Sequence, residues 1–393
     1  MELHTGFITI VRILLIISFL IFSCGKEDEP MQPDSLSLEY VGFVSFPLDS
    51  LSGKYHFALQ AFHDTSGNAY FSFFNRNNSV LYIYDYDKRE ITEQIPFEQE
   101  GPNGIGNPGK IGYLVVSLDT IFLYEAYSFK LFQSDRKGKI VNTFLVRSAD
   151  AGIYSSYPDV RTLKPLFFQD DKIYLTGLKV GIEPIPDHTK LDNVLIVDLQ
   201  KKAVEASPFI KRSEQYNKGQ WGALLKYQLF GCFNEESKKF VYSFGLDHHI
   251  YETDHATYEN RYFMQSRFFD KKIKPLAKNK DVTPIELSVA ERTLYDFTTP
   301  SYYTILHDPY RKLYYRFVTP PLSEEEYKDN KTFSPSVIIL DEDFKIQGET
   351  RLPPQGVNDY SMMFINEAGL HIMHDNREEN TLVFAIFQPK ETK

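Results

Sequence analysis

The residues best suited to chemistry are gathered at Asp247-His248-His249, followed by Glu252, Asp254 and His255. Imidazole nitrogens and carboxylate oxygens suit Zn²⁺ and similar ions, which makes His248, His249, His255 and Asp254 the candidate metal ligands. Their spacing matches no defined metal motif, and solvated loops often carry the same residue types. Asp247, Glu252 and Asp254 are also where a glycan-cleaving enzyme would be sought, because that chemistry needs two carboxylates about 5–9 Å apart. A second candidate, Gly104-Ile105-Gly106-Asn107-Pro108-Gly109, has the letter pattern of a dinucleotide fingerprint. That fingerprint requires a strand before it and a helix after it. Here Pro108 blocks helical entry and an apolar stretch, Ile111 to Ser117, follows at once, so the segment reads as a Gly-rich connection and no cofactor is expected. His371 and His374 are three apart in a strand-like run and so point to opposite faces. Trp221, the only tryptophan, shares a polar stretch with Arg212 and Tyr216. Exposed, it would stack on a sugar or anchor a partner; buried, it would pack beneath its loop. Trp221 and Arg212, with Asn103, are the candidate ligand contacts.

The two cysteines have different contexts. Arg12 precedes an apolar run from Ile13 to Phe22. At roughly ten residues that run is short for a membrane span and right for the core of a signal peptide. It ends in Ile21-Phe22-Ser23-Cys24, which resembles the lipobox of bacterial lipoproteins. The expected mature chain is cut before Cys24 and held to a membrane by acyl chains on that cysteine, each buried methylene contributing about 0.8 kcal/mol. Residues 1–23 are then a signal peptide and 24–37 a polar tether that cannot form a core. Lys26-Glu27-Asp28-Glu29, just after the cysteine, is similar to the surface-export signal of Bacteroidetes lipoproteins. Cys232, left alone in Phe230-Gly231-Cys232-Phe233, reads as a buried core thiol.

The elements that must position these residues are strands. Aromatic residues are 15% of the chain, with 26 Tyr and 32 Phe, and such side chains pack well on pleated surfaces. The formal net charge of -10 argues against non-specific nucleic-acid binding, which needs a basic footprint. A pattern of apolar strand, tight polar turn and aromatic strand recurs six times. Its turns fall at Ser66-Gly67-Asn68, Asp119, Asp170-Asp171, Glu235-Glu236-Ser237, Asp308-Pro309 and Glu367-Ala368-Gly369. A second hairpin follows each, turning at Asp87-Lys88, Arg136-Lys137-Gly138, Gln200-Lys201, Asp270-Lys271 and Glu342-Asp343; the sixth stops after Leu382 to Ile386. Six four-stranded sheets, each with faces to bury and edges to protect, are satisfied by radial stacking. The expected fold is therefore all-β: a six-bladed β-propeller of four-stranded antiparallel blades over residues 38–393. Leu38 to Leu48 is expected to close the ring by pairing in the last blade. A seventh blade within 271–301 and a pair of packed sheets are the alternatives. Thr283 to Glu286 has capping-box spacing and predicts a short helix from Pro284 to about Leu294. Glu324-Glu325-Glu326 reads as a solvated loop.

In such a ring the hairpin turns lie on one face and the other connections on the opposite face. The connections at 98–110, 147–161, 179–192, 211–225, 247–260, 271–301 and 319–335 are long, and long loops in a compact domain usually carry function. The face that bears them is the expected binding surface.

Gly101-Pro102-Asn103-Gly104 after the first blade, and Ser301-Tyr302-Tyr303 leading to His307-Asp308-Pro309-Tyr310-Arg311-Lys312-Leu313-Tyr314-Tyr315-Arg316, together with the lipobox, resemble an uncharacterised family of Bacteroidetes lipoproteins. The resemblance implies a six-bladed propeller and an outer-membrane location, and it assigns no activity. The leading expectation is a lipid-anchored, surface-exposed binding module for a glycan, a peptide or an envelope protein. The alternatives are a propeller enzyme acting on glycans and a structural envelope component with no small-molecule site.

Overall fold

The computed structural model describes residues 34–54, 56, 58–146, 157–178, 187–222, 224–269, 273–278, 286–354, 357–375 and 380–392. Cys24, the residues before it and the tether up to residue 33 lie outside the described residues, as do Thr283 and Pro284. Residues Ser35–Lys393 form one compact unit.

Strand β1 (Leu36–Pro47) precedes the first blade, which consists of β2 (Leu59–His63), β3 (Ala69–Asn75), β4 (Val80–Asp85) and β5 (Glu90–Pro96). Blade 2 is β6 (Ile111–Ser117), β7 (Thr120–Glu125), β8 (Lys130–Ser134) and β9 (Ile140–Leu145). Blade 3 has a divided inner strand, β10 (Tyr157–Pro158) and β11 (Phe167–Gln169), both paired to β12 (Lys172–Leu178), then β13 (Val194–Asp198) and β14 (Ala203–Ala206). Blade 4 is β15 (Leu229–Asn234), β16 (Lys239–Phe244), β17 (His249–Thr253) and β18 (Glu259–Phe263). Helix α1 (Val289–Thr298) precedes blade 5, made of β19 (Ser301–Asp308), β20 (Leu313–Thr319), β21 (Ser336–Asp341) and β22 (Ile346–Arg351), with helix α2 (Glu324–Lys328) between β20 and β21. Blade 6 is β23 (Asn358–Asn366), β24 (Gly369–His374) and β25 (Thr381–Glu391), and β1 is its fourth strand. The β1–β25 ladder runs antiparallel from Leu36 opposite Glu391 to Pro47 opposite Thr381, so the two ends of the chain close the ring as expected.

Packing explains why the middle strands are apolar on both faces. Side chains alternate along a strand, and each blade is covered on both sides by its neighbours. In β4, Leu81 and Ile83 join the cluster shared with blade 2, whereas Tyr82 and Tyr84 join the cluster shared with blade 6. Six apolar clusters fill the six interfaces between adjacent blades, including that between blades 6 and 1. The tight turns share one device, in which a side-chain oxygen at a strand end accepts backbone N–H groups two and three residues on. It appears at Asp198 (from Gln200 and Lys201), Asn234 (from Glu236 and Ser237) and Asp308 (from Tyr310 and Arg311).

Three expectations are corrected. The outer hairpin of blade 4 is His249–Phe263 rather than the run around Phe268, so 247–260 is strand and turn, and the long connection is 264–300. Helix α1 starts at Val289, where Ser288 and Glu291 form the capping box. The Glu324–Glu326 run is the first turn of α2, because Ser323 and Glu326 cap each other. Residues 271–301 contribute no blade among the described residues.

Candidate functional site

The candidate metal ligands are divided by the strand that carries them. His248 and His249 lie at the start of β17, and Asp254 and His255 lie in the turn after its end. At about 3.3 Å per residue the two groups are separated by the length of the strand, and they open on opposite faces of the ring. His248 Nδ1 pairs with the Tyr302 hydroxyl at 2.7 Å, and His249 Nδ1 with Asp247 at 2.9 Å. Both nitrogens of buried His255 are engaged, Nδ1 with Ser207 Oγ and Nε2 with Tyr242 Oη, each at 2.8 Å. Burial lowers the His255 pKa to about 3, so its imidazole is neutral. Asp254 repeats the turn device, accepting from the N–H groups of Ala256 and Thr257. Among the described residues no group of three or more His, Cys, Asp or Glu is placed to hold a metal ion. The other carboxylates of this region are also committed. Burial pushes Asp247 up, but hydrogen bonds from His249 and Tyr251 outweigh it and hold the carboxyl well below its usual range. Glu252 pairs with Lys239 at 3.1 Å.

The ligand-contact candidates are likewise built into packing. Trp221 is 1% exposed, in the cluster between blades 3 and 4. Arg212 is buried beside it, donating to the Tyr227 carbonyl at 2.8 Å and lying over the rings of Tyr216 and Tyr227. Asn103 is half-buried in the connection between blades 1 and 2, and no hydrogen bond or ring contact among the described residues joins it to Arg212 or Trp221. The Gly104–Gly109 segment ends in a three-residue helical turn, Pro108–Lys110, that leads straight into β6 rather than into a helix. His371 is buried against the Tyr86 hydroxyl, and His374 meets Asn358. Cys232 is a buried thiol whose pKa burial pushes far up.

What the sequence did not reveal lies on the axis of the ring. The inner strand of blade 3 breaks between Pro158 and Phe167, and the intervening chain turns back on itself through reciprocal backbone bonds between Arg161 and Lys164. This turn touches four other blades. Thr162 Oγ1 accepts the Leu59 N–H of blade 1 at 3.1 Å. Val160 packs so closely on Gly112 of blade 2 that a Cβ there would lie 2.4 Å from it. Leu163 joins a cluster with Phe230 of blade 4 and with Tyr360 and Met363 of blade 6. The Lys164 ammonium lies 5.7 Å from the Phe230 ring and 3.4 Å from Asp159. Only the axis is within reach of blades 1, 2, 4 and 6 together, so the turn stoppers the central channel. Burial lowers the Lys164 pKa to about 8, with the neighbouring Asp159 opposing the shift.

Below the stopper, on the face of the short hairpin turns, the channel opens as a blind cup of about 600 Å³ with Pro165 and Leu166 in its wall. All six inner strands contribute to it. The next-to-last residue of each is Phe62, Val116, Phe168, Phe233, His307 and Ile365. All six are half-buried, and all six line the cavity, Val116 beside Leu114 and Val115. These residues sit at the open ends of the inner strands and lean on neighbouring blades around the cup, Phe62 and Val116 against the next blade and Phe168, Phe233 and Ile365 against the preceding one. Five members are apolar. The sixth, His307, lies tilted against Tyr314 with ring centres 4.7 Å apart, and its Nε2 is buried without a hydrogen-bond partner. Burial lowers its pKa to about 4. On the long-loop face a smaller cavity of about 340 Å³ lies between blades 5 and 6, bounded by Phe297, Tyr303, Phe333, Asp359 and Tyr360. Aligning the six turns on the sequence would have exposed the apolar ring; the stopper has no such signal.

Residues 35–351, spanning blades 1 to 5 and the closing strand, match the domain of unknown function DUF4221. The chain belongs to the DUF4221 family. A DUF4221 protein from Bacteroides vulgatus has a crystal structure that superposes with a TM-score of 0.75 at 25% identity, covering 92% of this chain and 100% of that one. A protein from Bacteroides fragilis designated as exported shares the fold at a TM-score of 0.54 and 10% identity, covering 93% of this chain and 98% of that one. No curated protein matches the chain by sequence. This DUF4221 chain has no helix long and apolar enough to cross a membrane among its described residues.

Proposed function

We propose that this DUF4221 protein is an exported, lipid-anchored binding protein of the cell envelope, tethered through Cys24 at the outer-membrane surface, whose ligand enters the blind cup on the hairpin-turn face. The reading rests on one observation: the 159–166 turn stoppers the channel, leaving a closed-bottomed cavity walled by all six blades. Its volume lies within the roughly 300–1,000 Å³ of small-molecule sites. The lipobox at Cys24 and the polar stretch after it support the anchor. The long-loop face, favoured from loop length, gives way to the opposite face because its large side chains are spent on packing.

The test is a ligand screen of the folded Ser35–Lys393 unit by thermal shift, since a ligand that binds only the native state raises its stability. Hits should disappear in Ile365→Arg, which fills the cup. Hits that survive this change would move the site elsewhere, and a screen without hits would favour a scaffold. In cells, Cys24→Ser should abolish acylation and release the chain from the membrane fraction.

A further inference from the structure

Strand β1 is unlike the other outer strands of the ring. It has 12 residues, against four to seven in β5, β9, β14, β18 and β22. Outer strands are open edges, and proteins keep such edges short and charged. β5, β14, β18 and β22 each carry Glu or Arg. On β1 the one charged residue, Glu39, is tied to Lys390 of β25 at 2.8 Å, and Tyr40, Val41 and Phe43 are each about half exposed. β9 is also uncharged, but the side chains it exposes are the aliphatic Val141 and Leu145, with no ring between them.

A bulge builds the patch on β1. Val41 is the extra residue between the Tyr40–Phe387 and Gly42–Ile386 pairs. In an even strand, residues three apart point to opposite faces. The extra residue instead puts Tyr40 and Phe43 on one face, with ring centres 5.0 Å apart. Gly42 follows the bulge at φ +153°, a backbone that side-chain-bearing residues rarely adopt. Beneath the pair, Tyr40 lies 6.1 Å from the Phe387 ring and Phe43 4.9 Å from that of His374, so both rings stand on a packed base. An exposed apolar patch of this kind marks a contact with a protein or a membrane.

Chain connectivity favours the membrane. Leu36 is 12 residues beyond Cys24, so the chain between them spans at most about 40 Å. With Cys24 acylated, the patch begins only four residues further on and is held at high effective concentration beside the bilayer. Tyr suits the headgroup level of a membrane, and Phe and Val suit the acyl boundary below it. Resting on the reading of Cys24 as the anchor, we propose that the outer wall of blade 6 is a second membrane contact. Tyr40, Val41 and Phe43 dip into the interface of the bilayer that holds the anchor. The cup opens on the hairpin-turn face and not on this wall, so docking leaves its mouth free.

The test uses the chain from Cys24 to Lys393, coupled through the Cys24 thiol to a maleimide-headed lipid in phosphatidylcholine vesicles with brominated acyl chains. Cys232 is spared, because it is buried and burial pushes its pKa far up. Coupling supplies the anchor by chemistry, so the result does not depend on whether cells acylate Cys24. Acylation is decided separately by the release of Cys24→Ser from the membrane fraction. Phe43→Trp should shift its added emission to the blue and lose most of it to the brominated chains. Thr143→Trp, on the outer strand of blade 2, and the buried Trp221 should keep theirs. Tyr40→Trp reports the same contact if Phe43→Trp does not melt cooperatively. Unquenched tryptophan at residues 40 and 43, or equal quenching at 43 and 143, would overturn the proposal. So would a dimer of the uncoupled chain in sedimentation that Tyr40→Ser with Phe43→Ser dissolves, since the patch would then belong to a second copy.

Discussion

The two mouths of the channel differ in a way opposite to their loop lengths. On the face of the long connections the large side chains turn inward. Trp221 and Arg212 are buried, and Lys226 sends its ammonium to the carbonyls of Asp296, Thr299 and Pro300 beneath α1. Arg316 lies 3.4 Å over the Tyr302 ring and donates to Ser243 Oγ and to the carbonyls of Asp247, His248, His249 and Met264. These cations are held by converging backbone carbonyl dipoles. On the face of the short turns, two- to five-residue loops satisfy their own backbones through Asp and Asn side chains, which leaves the adjoining ring of side chains half-exposed. Long loops here need small cores of their own, and short ones do not. Loop length here reports how much backbone must be satisfied.

That contrast is open to breakage. The largest effect is expected at Trp221. Trp221→Ala should cost about 3–5 kcal/mol, as for other large buried aromatics, whereas Ile365→Ser on the opposite mouth, half-buried against the cluster between blades 5 and 6, should cost only about 1 kcal/mol. Denaturant unfolding of both variants measures the difference, and equal costs would erase the distinction between a packed face and an open one.

Next in size is the response to acid. His56, His255 and His371 are buried, and burial lowers their pKa values to about 3, 3 and 4. An unfolded imidazole binds its proton near pH 6.5, so between about pH 4 and 6.5 the unfolded chain binds more protons than the folded one. Stability should be fully present above pH 6.5 and fall as pH is lowered through this window, by up to about 1.4 kcal/mol per pH unit for each imidazole. His255→Gln should flatten the slope seen in pH-dependent unfolding. An unchanged slope would mean that the Ser207–His255–Tyr242 contact opens to water.

The smallest effect concerns the turn after β17. Asp254→Ala removes a side-chain acceptor from the turn and should cost about 1 kcal/mol, with no dependence on added Zn²⁺. A Zn²⁺-dependent rise in melting temperature that vanishes in this variant would restore a metal role to the turn.

Much of this architecture is local in origin and legible in the chain. Apolar runs of strand length, Asp and Asn at strand ends and six recurring turns specify six sheets, because turn chemistry and strand periodicity act over a few residues. The closing strand was also legible, since a lone strand at Leu38–Leu48 and a sixth hairpin short of a partner imply each other. The error in blade 4 shows the limit of pattern: Arg267-Phe268-Phe269 is as strand-like as His249-Ile250-Tyr251, and Phe269 even joins Ile250 in the cluster between blades 4 and 5; what separates them is that only the second pairs with β16.

The sequence by itself determined the number of blades, their order and the pairing of the two chain ends. Only the tertiary structure decided that the inner strand of blade 3 gives way to a turn on the axis, that Trp221 and Arg212 serve packing, and that six residues far apart in the chain share one cup. Strand patterns are set by neighbours within a few residues. A stopper and a ring are set by convergence on an axis, and residues from six separate blades meet there only after the circle has closed.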